Sequence, residues 1–386
     1  MDAPLRVGVV GCGNVALRYH LPAYLSAPER FTVVGLADPI AEQLEVGRAA
    51  AGLGADQVRL DPAELVARDD VDVVDVCSPQ HLHREVVVAA LDVGKHVLCE
   101  KPVATVPADA AAMVEAAQRS GTVLAVVNNF RFFPEVVALR ALVDSGELGT
   151  VRTVRVDLLG VLDSPGADGY RPRWRHDPAE SGGGVLMDML HGVYVAEHLL
   201  GAPVEAVSAF VDRVAEGETV EGLALCRLEG GDRAALVDIG WGVGPGGIAV
   251  HGTEGRAVAR YADDGTPPWA PLERLTVTTA TGSRTVDLPV GQDLRSKVAA
   301  SQRATVLDLA DAIASGRPPA ADGRTALRTL EVTLAAYASA ALGRTVAVPL
   351  PADSPLHRSG VAGLRELDVP DSALVRRRGI FGLSPG

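Results

Sequence analysis

The 386-residue sequence is poor in cysteine and aromatic residues, and its positive charges are outnumbered by negative ones. Its four cysteines show no C-x-x-C spacing, which argues against a disulfide framework or a cysteine-based zinc site and favours reduced thiols. Lys and Arg number 36 against 49 Asp and Glu, a net charge of −13. That balance argues against nucleic acid or an anionic membrane as the main partner. No stretch approaches ~20 uninterrupted apolar residues, so we expect no membrane-spanning helix.

What the sequence does have is enough length and apolar content for two domains. Hydrophobic residues make up 47% of the chain and charged residues 22%, a composition typical of a globular protein with a sizeable core. The opening stretch MDAPLRVGVVGCG begins a strand at once and lacks the charged-then-apolar pattern of a signal segment. We therefore expect a cytoplasmic protein.

Strand and helix patterns alternate through residues 1–128. The apolar runs LRVGVVG, FTVVGLAD, VDVVDVCS, KHVLCEK and VLAVVNNF are separated by helical stretches. Strands this apolar are buried on both faces, and their alternation with helices implies right-handed parallel crossovers. Residues 1–128 are therefore predicted to form an α/β domain with a Rossmann-type, doubly wound parallel sheet.

The pattern changes after residue 128. Strand candidates such as VRTVRVDLLGV and GLALCRLEGGDRAALVDIGW then follow one another with few helices between them. This predicts an α+β domain over residues 129–350, with a large open mixed or antiparallel sheet whose one face is covered by helices. Its other face also needs cover, so we expect a homodimer or homotetramer. Residues 351–386, rich in Pro, Gly and Arg, are predicted to form a C-terminal tail, either loosely ordered or an arm that wraps a neighbouring subunit.

A glycine-rich turn directly follows the first strand. Gly11 permits the tight turn, and Gly13 lets the backbone approach a pyrophosphate. The helix that starts at Asn14 and Val15 would direct its N-terminus at the phosphates. Asp38 ends the second strand, where a carboxylate accepts the ribose hydroxyls and repels a 2′-phosphate, although it would also suit a helix N-cap. The turn predicts dinucleotide binding, with NAD favoured over NADP.

The stretch CSPQHLHREVVVAALDVGKHVLCEKPVA closely resembles the signature of the Gfo/Idh/MocA oxidoreductases, named for glucose–fructose oxidoreductase and inositol dehydrogenase. The resemblance begins at the glycine turn and continues through NFR, WRHDP and a triple glycine. It implies that Lys101, in the EKP motif, lies beside the nicotinamide and contacts the substrate hydroxyl. The further candidates in the matching motifs are Ser78, Pro79, His83, Glu100 and Asn129 for the cofactor, and Arg131, Trp174 and Arg175 for the substrate.

Two of these candidates have their own physical rationale. Trp174 can stack on the apolar face of a sugar or cyclitol ring, and Arg175 can hold hydroxyls or a carboxylate. A tryptophan that fills the domain interface is the alternative. Arg171 and Arg173 leave open an anionic substrate group such as a phosphate or uronate.

The triple glycine leads into an apolar helix that carries Asp188 and His191. The resembled family usually spaces this pair i, i+4, whereas one residue fewer separates it here, which turns the side chains apart by about 100°. A bulge or kink could absorb the difference, or only one of the pair still faces the nicotinamide. We predict that His191 takes the substrate proton and that Asp188 binds a neighbouring hydroxyl or orients the imidazole. Tyr194 stands where relatives often carry another acid.

No metal site is predicted. His81, His83 and His96 are close in sequence but lie on two different elements, without cysteine or carboxylate ligands at zinc spacing.

The sequence therefore predicts an NAD-dependent dehydrogenase acting on CH–OH groups. It would interconvert a secondary alcohol and a ketone on a sugar, cyclitol or sugar derivative by hydride transfer. Two alternatives remain: elimination or glycoside cleavage assisted by bound NAD, and a non-catalytic NAD-sensing regulator of the same fold.

Overall fold

The computed structural model describes residues 3–161, 174, 177–213, 220–242, 244, 246–262 and 269–368. The chain divides into two compact units. The first comprises Met1–Asn129 and Val298–Leu327, and the second comprises Phe130–Lys297 and Arg328–Gly386. The candidate Arg175 and its neighbours Arg171 and Arg173 lie outside the described residues.

The first unit contains a six-stranded parallel sheet with the order β3-β2-β1-β4-β5-β6. The predicted doubly wound sheet is confirmed. The prediction missed β3, because two residues carry no readable alternation. The elements are β1 (Leu5–Val10), α1 (Leu21–Leu25, preceded by the helical turn Ala16–His20), β2 (Phe31–Ala37), α2 (Ala41–Ala51), β3 (Val58–Arg59), α3 (Pro62–Val66), β4 (Val73–Val76), α4 (His83–Asp92), β5 (His96–Cys99), α5 (Pro107–Ser120) and β6 (Leu124–Val126).

The second unit contains a nine-stranded sheet with the order β14-β13-β12-β11-β7-β10-β9-β8-β15. Among the strand pairings that the structure describes in this sheet, β7–β10 alone is parallel, so the sheet is mixed, as predicted. The prediction missed β13, β14 and β15. The elements are α6 (Pro134–Asp144), β7 (Val151–Val161), α7 (Pro178–Ser181), α8 (Val185–Asp188), α9 (His191–Leu200), β8 (Ala206–Asp212), β9 (Leu223–Gly230), β10 (Arg233–Trp241), β11 (Gly246–Gly252), β12 (Gly255–Tyr261), β13 (Leu272–Thr279), β14 (Gly282–Val286), α10 (Leu294–Ser315), α11 (Gly323–Leu342), β15 (Val346–Ala347) and α12 (Pro355–Ser359).

The segment Val298–Leu327 differs from the predicted domain assignment, which placed it in the second domain. It holds most of α10 and the start of α11, and it packs within the first unit. Val306 and Leu309 join the core formed around β1 and β2. The Val126 N–H donates to the Ala321 carbonyl at 2.9 Å, beside the last strand of the parallel sheet. The segment's apolar residues are thus buried against strands that lie far away in sequence.

Helices cover one face of the large sheet, and in the described part of the chain some apolar side chains on the opposite face are exposed. Helix α9 packs on β7 and β10, where Gly192 lets the helix approach closely. On the opposite face of neighbouring strands, Phe210, Leu225 and Leu236 are 41%, 38% and 43% exposed. We call these three side chains the outer apolar patch. Exposed apolar groups on adjacent strands are typical of a surface that meets a partner.

Among the helices that the structure describes, none has the length and apolar content needed to cross a membrane.

Candidate functional site

The glycine turn has the geometry that a dinucleotide requires. Gly11 has a φ of +93°, and a Cβ there would lie 2.8 Å from the backbone of Cys77 and Ser78. Only glycine satisfies both constraints. Around Gly13, no atom of the described residues comes within 4 Å of an added Cβ. Asn14 and Val15 are exposed at the first turn of the following helix. The backbone at this turn is accessible to a phosphate group.

Asp38 connects the second strand to the glycine turn. Its carboxylate accepts the N–H of Cys12 at 2.7 Å and the N–H of Ile40 at 2.8 Å. The N-cap of α2 is Ile40, whose side chain makes no capping bond, so Asp38 does not cap that helix. The carboxylate is held at the end of β2, the position from which an acidic side chain contacts a ribose.

Two predicted cofactor residues carry buried polar atoms that lack a partner. The hydroxyl of Ser78 and the Oδ1 of Asn129 have no hydrogen bond within the described part of the chain. Buried polar atoms are rarely left unpaired, so these two fit a bound group. His83 holds the Ser78 segment in place: its Nε2 lies 2.8 Å from the Ser78 carbonyl, and its Nδ1 lies 3.2 Å from that of Val103. Burial lowers the pKa of His83. Together with the glycine turn, these residues fit a dinucleotide cofactor.

The Glu100 carboxylate contacts a histidine side chain and a backbone N–H. One carboxylate oxygen accepts the Lys101 N–H at 2.9 Å, and the other lies 2.8 Å from His20 Nε2. The prediction gave Glu100 a cofactor contact, whereas its described contacts hold the backbone where Lys101 leaves β5. Lys101 itself is half-buried.

Two of the three consecutive glycines lie against a buried carboxylate and its tyrosine partner. Glu221 accepts the N–H groups of Gly184 at 2.8 Å and Leu186 at 3.0 Å, and the hydroxyl of Tyr337 at 2.6 Å. A Cβ on Gly184 would overlap the Glu221 carbonyl, and one on Gly183 would overlap the Tyr337 hydroxyl. Burial raises the pKa of Glu221 to about 7, against the effect of these hydrogen bonds. This contact sets the start of α8.

The helix with Asp188 and His191 is broken between the two residues. Helix α8 ends at Asp188, Met189 has φ −107° and ψ 32°, and α9 begins at His191. The helix is therefore kinked between Asp188 and His191, a local geometry that the shortened spacing allowed. Asp188 is half-buried and His191 is 6% exposed. The two side chains belong to separate helices, so their i, i+3 spacing does not set their relative direction.

Tyr194 contacts His191. Its hydroxyl oxygen lies 2.6 Å from His191 Nδ1 and accepts the Phe130 N–H at 3.1 Å. The Phe130 ring stacks on the imidazole with a centroid distance of 4.0 Å. Sequence reasoning treated Tyr194 only as a departure from the family pattern. Its i, i+3 spacing from His191 within one helix was the signal that could have revealed the contact.

The remaining substrate candidates have other described contacts. Arg131 Nη2 lies 2.9 Å from His198 Nδ1. His198 is in the last turn of α9, whereas His191 begins that helix. Burial, with Arg131 and Arg140 nearby, lowers the pKa of His198 to about 3, so that ring is neutral. Trp174 is half-buried, and its carbonyl accepts the Asp177 N–H at 3.2 Å.

Two family models match the chain. The first, described as an oxidoreductase family with an NAD-binding Rossmann fold, matches residues 5–128. The second, described as a GFO/IDH/MocA C-terminal domain, matches residues 136–258.

Individual proteins are similar over large parts of the chain. A dTDP-3,4-didehydro-2,6-dideoxy-alpha-D-glucose 3-reductase from Saccharopolyspora spinosa is 34% identical over 241 residues, 61% of this chain and 68% of the relative. A D-glucoside 3-dehydrogenase from Escherichia coli is 33% identical over 210 residues, 54% of this chain and 58% of the relative. The crystal structure of an aldose-aldose oxidoreductase from Caulobacter crescentus, complexed with glycerol, has a TM-score of 0.76 and 26% identity, covering 89% of this chain and all of that one.

Proposed function

The chain belongs to the Gfo/Idh/MocA oxidoreductase family, and we propose that it interconverts a secondary alcohol and a ketone on a sugar, cyclitol or sugar derivative with NAD. The observation that carries the proposal is His191, a buried imidazole whose Nδ1 is held by the Tyr194 hydroxyl. Two relatives are named for reduction or oxidation at position 3 of a hexose derivative, which supports a ring alcohol as substrate.

The cofactor would be held by the residues whose geometry fits it. Gly11 and Gly13 would let the pyrophosphate approach the backbone, Asp38 would face the adenosine ribose, and Ser78 and Asn129 would supply polar contacts. When bound, NAD supplies the hydride acceptor.

In this proposal, His191 accepts the proton of the substrate hydroxyl. In the tautomer that can accept a proton at Nε2, the Nδ1–H donates to the Tyr194 oxygen, which also accepts the Phe130 N–H. Both lone pairs of the hydroxyl oxygen are then used, and this fixes the ring orientation. Lys101 would contact the reacting hydroxyl, and Asp188 would bind a neighbouring hydroxyl. Trp174, Arg131 and Arg175 remain candidates for the rest of the substrate.

The test is reduction of NAD, followed as absorbance of NADH, with a panel of hexoses, alkyl glucosides and cyclitols. We expect a ketone formed in equal amount to NADH. His191→Ala should lose a factor of ~10²–10⁴ in kcat/KM, and the rise of kcat/KM with pH near neutrality should disappear. Asp188→Asn keeps the side-chain shape and should mainly raise KM.

Three results would contradict the proposal. A cleaved or eliminated product would support elimination assisted by NAD. Tight NAD binding without turnover of any alcohol would support a sensor. A His191→Ala protein with the wild-type rate and pH dependence would remove the histidine from the chemistry.

A further inference from the structure

A buried chain of ionisable side chains leads to the backbone of Lys101. His20 is fully buried, its Nδ1 lies 2.7 Å from Asp75 Oδ2, and its Nε2 lies 2.8 Å from Glu100 Oε1. Asp75, in the middle of β4, is also fully buried. The second oxygen of Glu100 accepts the Lys101 N–H at 2.9 Å. Every member belongs to the first unit.

The side chains of His20 and Glu100 carry charge. Burial alone would lower the pKa of His20, but the charge and hydrogen bond of Asp75 outweigh it and raise this pKa well above its ordinary value. Burial alone would raise the pKa of Glu100, but the hydrogen bond and charge of His20 leave it below its ordinary value. His20 is therefore an imidazolium between two carboxylates, and each ring N–H donates to one of them. Removing one partner of such a group leaves a costly unpaired charge.

Three further groups face this chain. The Cys77 thiol lies 3.7 Å from Asp75 Oδ1, and the Gln302 carboxamide lies 3.0 Å from His20 Nε2. Because Nε2 of an imidazolium is a donor, this carboxamide must turn its oxygen, and not its nitrogen, toward the ring. Burial, with the charge of Asp75, raises the pKa of both Cys77 and Tyr24, so both stay protonated. Ligand-type atoms of His20, Asp75 and Cys77 lie within 4.8 Å of one another, a spacing that could hold a metal ion. Asp75 and Glu100 already contact both ring nitrogens of His20, so a metal ion would have to displace one of these contacts.

We propose that His20 and Asp75 are positioning residues for Lys101. The His20 imidazolium binds one carboxylate oxygen of Glu100, and the other oxygen accepts the Lys101 N–H. These two contacts fix the backbone from which the lysine side chain extends. Without the charge of Asp75 the ring becomes neutral and keeps a single N–H donor, so it can no longer donate to both neighbours. The catalytic consequence rests on the function proposed above, in which Lys101 contacts the substrate.

The experiment uses the full chain and the variants Asp75→Asn and His20→Gln, with His96→Asn as matched control. His96 lies on β5 near the same residues, but its described bond is to the Val123 N–H. NMR of ¹⁵N-histidine protein reports the charge of His20, assigned by loss of its signal in His20→Gln. The chain has three lysines, Lys95, Lys101 and Lys297. NMR of ¹³C-lysine protein therefore resolves Lys101, assigned through Lys101→Arg.

We expect both nitrogens of His20 to be protonated at pH 7.5 in the wild type and one in Asp75→Asn. The Lys101 signal should shift in Asp75→Asn and His20→Gln but not in His96→Asn. In the first two variants kcat should fall on the order of 10-fold to 10²-fold, with little change in the Kd for NAD. In Asp75→Asn, kcat should also fall with rising pH as His20 loses its proton.

A neutral His20 in the wild type would overturn the proposal, as would one equivalent of metal in the purified protein. An unchanged Lys101 signal in both variants would also overturn it. If the wild type oxidises no sugar, the proposed function fails, whereas the lysine signals still decide whether His20 and Asp75 position Lys101.

Discussion

Replacing Tyr194 with phenylalanine removes a hydroxyl whose described partners include His191 and Phe130. That oxygen lies 2.6 Å from His191 Nδ1 and accepts the Phe130 N–H at 3.1 Å. Tyr194 is 2% exposed, and its ring meets the imidazole edge-on at 5.4 Å. The phenyl ring retains this packing, so the substitution isolates the hydroxyl.

The magnitude follows from the two lost contacts. A buried N–H left without an acceptor costs about 1–3 kcal/mol, and the bond to the imidazole contributes about 1 kcal/mol. The free energy of unfolding should therefore fall by about 2–4 kcal/mol, which lowers Tm by roughly 2–5 °C at an unfolding entropy of about 2.1 cal/mol/K per residue over 386 residues. The imidazole also loses the group that fixes its orientation, so kcat/KM should fall on the order of 10-fold to 10²-fold.

The assay pairs thermal unfolding with NADH formation, and Tyr261→Phe is the matched control. The Tyr261 hydroxyl donates to Glu135 at 2.9 Å in the same unit, and its described contacts do not include His191. We expect both variants to lose stability and only Tyr194→Phe to lose activity. If Tyr194→Phe matches Tyr261→Phe in both measurements, the hydroxyl has only a structural role and the reasoning is refuted.

Four other results are expected. Asp38 should make NAD bind at least ~10-fold tighter than NADP, a difference of about 1.4 kcal/mol, and Asp38→Ala should shrink it; a wild type that prefers NADP in titration would contradict this. Lys101→Ala should lower kcat by a factor on the order of 10² while the Kd for NAD changes little, and near-normal turnover would exclude it from the chemistry. The folded state binds the Glu221 proton more tightly because its pKa is raised from 4.5 to about 7. This contribution to the free energy of unfolding, about 3 kcal/mol, is present below pH 4.5 and is lost as the pH rises to about 7. The free energy of unfolding of Glu221→Gln, measured across that pH range, should not show this loss. The outer apolar patch should form a homodimer or homotetramer contact, so Leu236→Arg should lower the mass found by light scattering, and a monomeric wild type at micromolar concentration would refute this.

Local sequence patterns were sufficient for the features whose cause is local. Alternating apolar runs and helical stretches predicted the parallel sheet, and successive strand patterns predicted the mixed sheet. Gly11 was predicted to permit the tight turn after the first strand, and in the structure it has a φ of +93°. The pair Asp188 and His191 was recognised with its shortened spacing, but whether a kink absorbed the difference depends on the packing of α8 and α9.

The tertiary structure decided what depends on residues far apart in the chain. Glu221 binds the backbone of Gly184 from 37 residues away, and no local pattern connects them. His20 meets Asp75 and Glu100 across 55 and 80 residues, so the charge of this buried group exists only after the sheet has formed. The segment Val298–Leu327 packs in the first unit because its apolar face is buried there. Propensity and spacing act within a few residues, whereas burial and charge pairing depend on which segments the fold brings together.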